Sequence, residues 1–128
     1  LLYRPAFTVK MLNMKLYGIP NCNTVKKARD WLDSKGVAYD FHDFKKQGLD
    51  TQTAENWLTQ HPWEKLLNRA GMTWRNLTEV EKSAVTDNAS AVNLMLNKTS
   101  VIKRPILEDG KQVLVLGFDE STYQQIFK

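Results

Sequence analysis

The chain has one cysteine among its 128 residues, and this scarcity excludes a framework of internal disulfides. It has two histidines, and neither stands at metal-ligand spacing from Cys, Asp or Glu, so we expect no metal site. No apolar run approaches the roughly 18–20 residues that cross a bilayer, so we expect no membrane contact. Since nothing in the composition requires an oxidising compartment, we expect a cytoplasmic protein.

A concentration of charge of one sign is also missing. The 18 Lys and Arg residues exceed the 14 Asp and Glu residues by a net charge of +4, and they do not gather in one run. Because nucleic-acid-binding proteins present a basic stripe or patch, we expect no direct contact with nucleic acid. Residues 1–13 show no helix cap or hydrophobic period. We interpret them as an extension outside a single domain over residues 14–128.

The single cysteine lies where a strand is expected to meet a helix. Met14–Ile19 is an apolar run typical of a short strand, Pro20-Asn21 is a turn pair, and Thr24–Leu32 has helical periodicity. Cys22 therefore falls at a helix N-terminus, where unpaired N–H groups and the helix dipole favour a thiolate. Lys26 adds positive charge one turn later. The pattern favours a reactive thiol of lowered pKa over an inert, buried cysteine.

Further strands are predicted before and after the middle segment of the chain. Residues 37–44 alternate apolar with polar or small side chains and predict a second strand, parallel to the first across the helix. Residues 105–107 and 113–116 are strand-like on either side of the favoured turn pair Asp109-Gly110. They predict an antiparallel hairpin.

The middle of the chain, about residues 50–98, has a helical pattern. Asp50 is a candidate N-cap, Trp63–Ala70 is predicted as a helix ended by Gly71, and Thr78 opens a capping box. A closing helix is expected to turn three side chains inward: Tyr123, Ile126 and Phe127. The order β-α-β, helical insert, β-β-α predicts an α/β, thioredoxin-like fold with an all-helical subdomain between its second and third strands.

Four ordered segments carry a resemblance to a known family. They are Tyr17-Gly18-Ile19-Pro20-Asn21-Cys22-Asn23-Thr24, Leu66-Leu67-Asn68-Arg69-Ala70-Gly71, Ile102-Lys103-Arg104-Pro105-Ile106-Leu107 and Val115-Leu116-Gly117-Phe118. With these segments the chain resembles the ArsC/Spx family of thioredoxin-like proteins, and within it the small YffB-type members. The resemblance implies a thiol-dependent oxidoreductase.

The resemblance also implies roles for particular residues. Cys22 matches the family's nucleophile, Arg69 an anion-holding arginine of the helical subdomain, and Arg104 the arginine before a cis-proline, Pro105. We expect glutathione as co-substrate, glutaredoxin as a possible partner, and no tightly bound cofactor. Candidates for binding substrate or glutathione are Asn21, Asn23, Thr24, Lys26 and Pro105.

Two departures from the family pattern limit the function. The arsenate reductases place a third arginine near the end of the fourth strand, where this chain has Val113–Gly117, so efficient arsenate reduction is doubtful. Spx regulators commonly carry Cys-x-x-Cys, whereas position 25 is Val25. A disulfide switch within the chain is therefore excluded. An Spx-like protein that binds RNA polymerase and keeps Cys22 as a redox reporter remains the alternative.

Overall fold

The computed structural model describes residues 13–128. Within this range four strands form one mixed sheet: β1 (Met14–Gly18), β2 (Asp40–Asp43), β3 (Ile106–Asp109) and β4 (Gln112–Leu116). Their spatial order is β2-β1-β3-β4. The central strand β1 pairs parallel with β2 and antiparallel with β3, which in turn pairs antiparallel with β4. The predicted thioredoxin-like topology is confirmed.

Helices connect and cover these strands. Their bounds are α1 (Asn23–Ser34), α2 (Phe44–Gln47), α3 (Thr51–Leu58), α4 (Trp63–Leu66), α5 (Met72–Arg75), α6 (Glu79–Ser83), α7 (Asn88–Asn97) and α8 (Glu120–Ile126), with a 3-10 turn over Thr99–Val101. In the described part of the chain, no helix combines the length and the apolar character that a membrane span requires.

Short-range capping fixes where several helices begin. The Asp50 carboxylate accepts a hydrogen bond from the Thr53 N–H at 2.7 Å, and a full capping box joins Thr78 to Glu81. Both caps were predicted, because the cap residue and its N3 partner are three positions apart and recognisable in the sequence.

The described chain divides into two compact units. The sheet unit comprises the described residues up to Asp43 together with Arg104–Lys128, and the helical unit comprises Phe44–Lys103. The helical unit is thus wider than the range of about 50–98 taken from the sequence. Residues 1–12 of the expected extension lie outside the described residues, whereas the Asn13 carbonyl accepts a hydrogen bond from the Gly110 N–H at 3.0 Å.

The core of the sheet unit lies where α1 and α8 meet the sheet. Met14 and Leu16 alternate along β1 and pack in one cluster with side chains of the neighbouring elements: Ala28, Trp31, Leu32, Leu107, Val115 and Tyr123. Tyr123 is fully buried and Phe127 packs against this cluster, as predicted. Ile126 was predicted to face inward but is 37% exposed. The three positions share the i, i+3, i+4 spacing of one helix face, but Ile126 is the last residue of α8 and Phe127 is already its C-cap, so the face is incomplete at this end.

The second strand is shorter than predicted at both ends. Val37 lies just beyond the end of α1 and takes part in its C-terminal cap. Its N–H donates to the Leu32 carbonyl at 3.0 Å, and the Gly36 N–H donates to the Asp33 carbonyl at 3.1 Å. These two bonds form a Schellman motif, with Gly36 at φ +68°. The apolar Val37 therefore packs as the hydrophobic partner of the helix end, and Phe44 begins α2.

The helix predicted over Trp63–Ala70 ends early, at Leu66. Leu67 is extended, with φ −89° and ψ 133°, and forms an antiparallel bridge with Ile102. The Asn68 N–H donates to the Val101 carbonyl at 2.8 Å. Backbone pairing with a segment distant in sequence thus replaced the helical bonds that the local pattern favoured.

The β3–β4 turn is one residue later than predicted. Asp109 pairs with Gln112, so the two turn residues are Gly110 and Lys111. Gly110 has φ +64°, whereas no non-glycine residue in the described range has a positive φ. A positive φ at the first turn position alone suits a type II′ hairpin, which prefers glycine there.

Candidate active site

Cys22 is the N-cap residue of α1. Its backbone is extended, with φ −111° and ψ 125°, and its carbonyl accepts the first helical hydrogen bond, from the Lys26 N–H at 2.9 Å. The side chain is half-buried. Strand β1 ends at Gly18, so the intervening residues 19–21 carry the chain from the sheet edge to the helix. The predicted strand–helix junction is confirmed.

The surroundings of Cys22 favour its thiolate. Burial raises the pKa of the thiol, but the Val25 N–H, the Arg104 guanidinium and the Thr24 N–H favour a negatively charged sulfur and together lower the pKa below its ordinary value. The Cys22 side chain makes no capping hydrogen bond to a described residue, so these groups favour the thiolate through their dipoles and charge. The predicted lowering of the pKa is confirmed.

The source of this lowering differs in part from the prediction. The helix N-terminus contributes through its N–H groups, as expected, but the cation that acts on the sulfur is Arg104. Lys26 was expected to contribute, yet it is exposed and is not among the groups that shift the pKa. Its side chain begins one turn along α1, where solvent screens its charge.

Arg104 reaches the cysteine because of the strand pairing. The antiparallel register places Tyr17 opposite Ile106, so the end of β1 and the start of β3 meet at one edge of the sheet. The Arg104–Pro105 peptide bond is cis, as predicted. The Pro105 carbonyl accepts a hydrogen bond from the Gly117 N–H at 2.7 Å, which brings the end of β4 to the same edge.

The other candidate residues are distributed over both units. In the sheet unit Asn21, Asn23 and Thr24 are exposed beside Cys22. Arg69 belongs to the helical unit, where it is exposed and its guanidinium carbon lies 5.6 Å from the centre of the Trp63 ring. That distance suits a cation–π contact, which orients the guanidinium while leaving it accessible to an anion.

Two features of the sheet unit had no signal in the sequence. Tyr17 Oη donates a hydrogen bond to Glu108 Oε1 at 3.1 Å, both side chains are buried, and the His42 ring centre lies 4.7 Å from that of Tyr17. These three residues lie on three different strands, so local sequence patterns could not predict that they are in contact. Within residues 13–128 no three His, Cys, Asp or Glu side chains are placed to hold a metal ion.

The second feature is an open groove of about 790 Å³ between α1 and the start of α8. Thr24 lies at one end, and Trp31 and Phe118 contribute aromatic walls. Its charged lining is mainly acidic: Lys27, Asp30, Asp119 and Glu120. Three carboxylates against one ammonium disfavour an anionic ligand there, so the groove does not replace Arg104 as a binding group for anions.

Comparison with known proteins agrees with this geometry. The model of the ArsC family matches residues 17–126, a range that contains Cys22, Arg69 and Arg104. The chain belongs to the ArsC family. Among solved structures of similar proteins, the YFFB protein is 48% identical with a TM-score of 0.82, and the alignment covers 88% of this chain and 96% of that one.

Other proteins similar to this chain carry different names. An arsenate reductase (ArsC) related protein from Brucella melitensis is 48% identical with a TM-score of 0.71, covering 91% of this chain and 96% of that one. An uncharacterized protein of Haemophilus influenzae is 41% identical over 113 residues, 88% of this chain and 96% of its own length. The global transcriptional regulator Spx 1 of Lactococcus lactis is 29% identical over 107 residues, covering 82% of this chain and 81% of the regulator. ArsC-family membership is therefore compatible with both an enzyme and a regulator.

Proposed function

We propose that this ArsC-family protein is a glutathione-dependent reductase with Cys22 as its nucleophile. The observation that carries the proposal is the position of Cys22 as the N-cap residue of α1, at the sheet edge to which the pairing of β3 with β1 brings Arg104. These surroundings lower the pKa of the thiol. A thiolate is the reactive form in attack on oxidised sulfur or on an oxyanion, and a half-buried position leaves it accessible. An inert structural cysteine needs neither feature.

The proposed cycle transfers two electrons from two thiols, the first of which is glutathione. The Cys22 thiolate first forms a bond to the electrophilic atom of the oxidised substrate, and a protonated leaving group departs. A glutathione thiolate then attacks Cys22 Sγ, and the electron pair of the broken bond remains on the substrate, which leaves reduced. The resulting Cys22–glutathione disulfide is opened by a second thiol, either glutathione or glutaredoxin, which releases the Cys22 thiolate and an oxidised thiol product.

The two arginines would hold anionic groups. Arg104 is proposed to pair with a glutathione carboxylate, because a planar guanidinium can donate two parallel hydrogen bonds to a carboxylate. Arg69, exposed in the helical unit, is proposed to bind a second anionic group of substrate or glutathione. Supporting polar contacts would come from residues at the start of α1: Asn21, Asn23, Thr24 and Lys26.

Formation of a mixed disulfide with glutathione tests the proposal. After incubation with oxidised glutathione, mass spectrometry should show one added glutathione on the wild type and none on Cys22→Ser. Arg104→Ala should form the adduct about tenfold more slowly at limiting glutathione, the size expected for one charge-assisted contact. Arg75→Ala, which removes an exposed cation of the helical unit outside the proposed site, serves as the matched control. No adduct on the wild type, or equal labelling of all arginine variants, contradicts the proposal.

A second candidate is a regulator that binds RNA polymerase. It is favoured by the similarity to the Lactococcus lactis regulator Spx 1. In this function Cys22 would report the redox state through a mixed disulfide, because Val25 stands where Cys-x-x-Cys would place a second thiol. Stoichiometric recovery of polymerase subunits with the tagged protein, unchanged in Cys22→Ser, would favour the regulator over the reductase.

A further inference from the structure

Gly18, the last residue of β1, packs directly against Val25 in the first turn of α1. A Cβ atom placed on Gly18 would lie 2.8 Å from Val25 Cγ2 and 3.2 Å from Val25 Cγ1. Real Cβ atoms essentially never approach another heavy atom within 3.0 Å. Strand and helix are therefore as close at this point as a residue without a side chain allows.

Neither partner in this contact can yield easily. Val25 is fully buried, and a β-branched side chain in a helix has one strongly preferred rotamer. Gly18 is paired with Asp43 in the neighbouring strand, and β1 is central in the sheet. An added methyl group at Gly18 would therefore displace the first turn of α1 by a few tenths of an ångström.

That turn holds the cysteine sulfur. Cys22 is the N-cap residue of α1, so Thr24 and Val25 occupy the second and third helical positions, whose N–H groups face an N-cap side chain. Both N–H groups lower the pKa of the thiol, and Val25 is the residue that the close contact with Gly18 locates. We propose that Gly18 is a positioning residue for the Cys22 thiolate: by lacking a side chain, it lets Val25 seat against β1 and so sets the distance from the Val25 N–H to the sulfur. The inference rests on the proposed function, in which Cys22 acts as a thiolate.

A pair of uncharged substitutions tests this inference. Gly18→Ala should raise the pH midpoint of Cys22 alkylation and leave about threefold less thiolate at a pH below that midpoint, because a lengthened hydrogen bond to a charged sulfur keeps only part of its effect. Gly18→Ala combined with Val25→Ala removes both Cγ atoms and leaves Cβ atoms 3.6 Å apart, an ordinary contact. The double variant should return the midpoint to the wild-type value.

A control separates positioning from loss of stability. Leu32→Ala removes a fully buried side chain from the same helix, nearly three turns beyond the thiol, and should destabilise the fold without moving the midpoint. An unchanged midpoint in folded Gly18→Ala overturns the inference, as does a double variant whose midpoint stays raised. If Gly18→Ala fails to fold, the double variant alone tests the inference. A wild-type midpoint in the double variant then supports the role of the Gly18–Val25 contact, and a raised midpoint or an unfolded protein overturns the inference. A wild-type midpoint at or above that of free cysteine would instead reject the activated nucleophile itself.

Discussion

The Arg104 guanidinium acts on the sulfur of Cys22 and lowers the pKa of that thiol, although the two residues stand near opposite ends of the domain sequence. The pairing of β3 with β1 makes this contact possible, because it brings the start of the third strand to the end of the first. The guanidinium therefore acts twice in the proposed site. It favours the thiolate in the resting protein and is available to pair with the anion that the thiolate attacks.

Arg104→Ala should move the alkylation curve of Cys22 toward higher pH. The folded protein lowers the pKa of the thiol, so the wild-type midpoint should lie below about 8.5, the value for free cysteine. Removing the guanidinium deletes a donor that favours the thiolate, while burial, which disfavours it, remains. Stopped-flow alkylation between pH 5 and pH 10, a range that extends about 3.5 units to the acid side of that value, measures the midpoint.

Lys26→Ala is the matched control for this measurement, because it also removes one positive charge near the start of α1. Its midpoint should stay at the wild-type value, since Lys26 is not among the groups that shift the pKa. An equal shift in both variants would mean that the general positive potential, rather than the Arg104 contact, activates the thiol. A wild-type value in Arg104→Ala would refute the contact directly.

Tyr17→Phe should destabilise the fold by about 1–3 kcal/mol, the cost of leaving a buried acceptor with one donor fewer. The lost bond is the one at 3.1 Å from Tyr17 Oη to the buried Glu108 carboxylate. Urea denaturation should show a lower midpoint with an unchanged slope. Tyr39→Phe is a suitable comparison, because its hydroxyl accepts from Arg29 at 3.3 Å in a less buried position. A loss from Tyr17→Phe no greater than that of Tyr39→Phe would contradict the prediction.

Local patterns in the sequence predicted the parts of the fold that local interactions determine. The caps at Asp50 and Thr78 and the glycine stop at Gly36 each involve residues within five positions of one another. The order of strands and helices along the chain followed from the alternation of strand-like and helical patterns. The errors arose where distant segments pair, as at Leu67, whose bridge to Ile102 ended a helix that the local pattern extended.

The candidate site divides in the same way. The position of Cys22 at the helix N-terminus was predicted because the turn, the cysteine and the helix are adjacent in sequence. The approach of Arg104 was expected only through the family resemblance, since no local pattern relates positions 22 and 104. The tight contact between Gly18 and Val25 and the buried bond from Tyr17 to Glu108 depend on how elements pack in three dimensions. Neither had a signal in the one-dimensional pattern.

Arsenate reduction should be weak or absent in this protein. The Gly117 N–H lies 2.7 Å from the Pro105 carbonyl, so the end of β4 reaches the edge of the sheet that carries Arg104, but residues 113–117 contain no arginine. The family resemblance implies that the arsenate reductases hold the oxyanion with an arginine there. A charged hydrogen bond stabilises a bound anion by roughly 1.5–3 kcal/mol, so its absence weakens arsenate binding by about one to two orders of magnitude.

A coupled assay with arsenate, glutathione and glutaredoxin measures this activity. Cys22→Ser supplies the background rate, and an ArsC-family arsenate reductase with its full set of arginines supplies the upper reference. The wild-type rate should lie close to the background, even when the same preparation forms the glutathione adduct readily. That combination of results would show that the thiol is reactive and that the low rate is due to the incomplete oxyanion site. Turnover comparable with the reference enzyme would show that the missing arginine is dispensable.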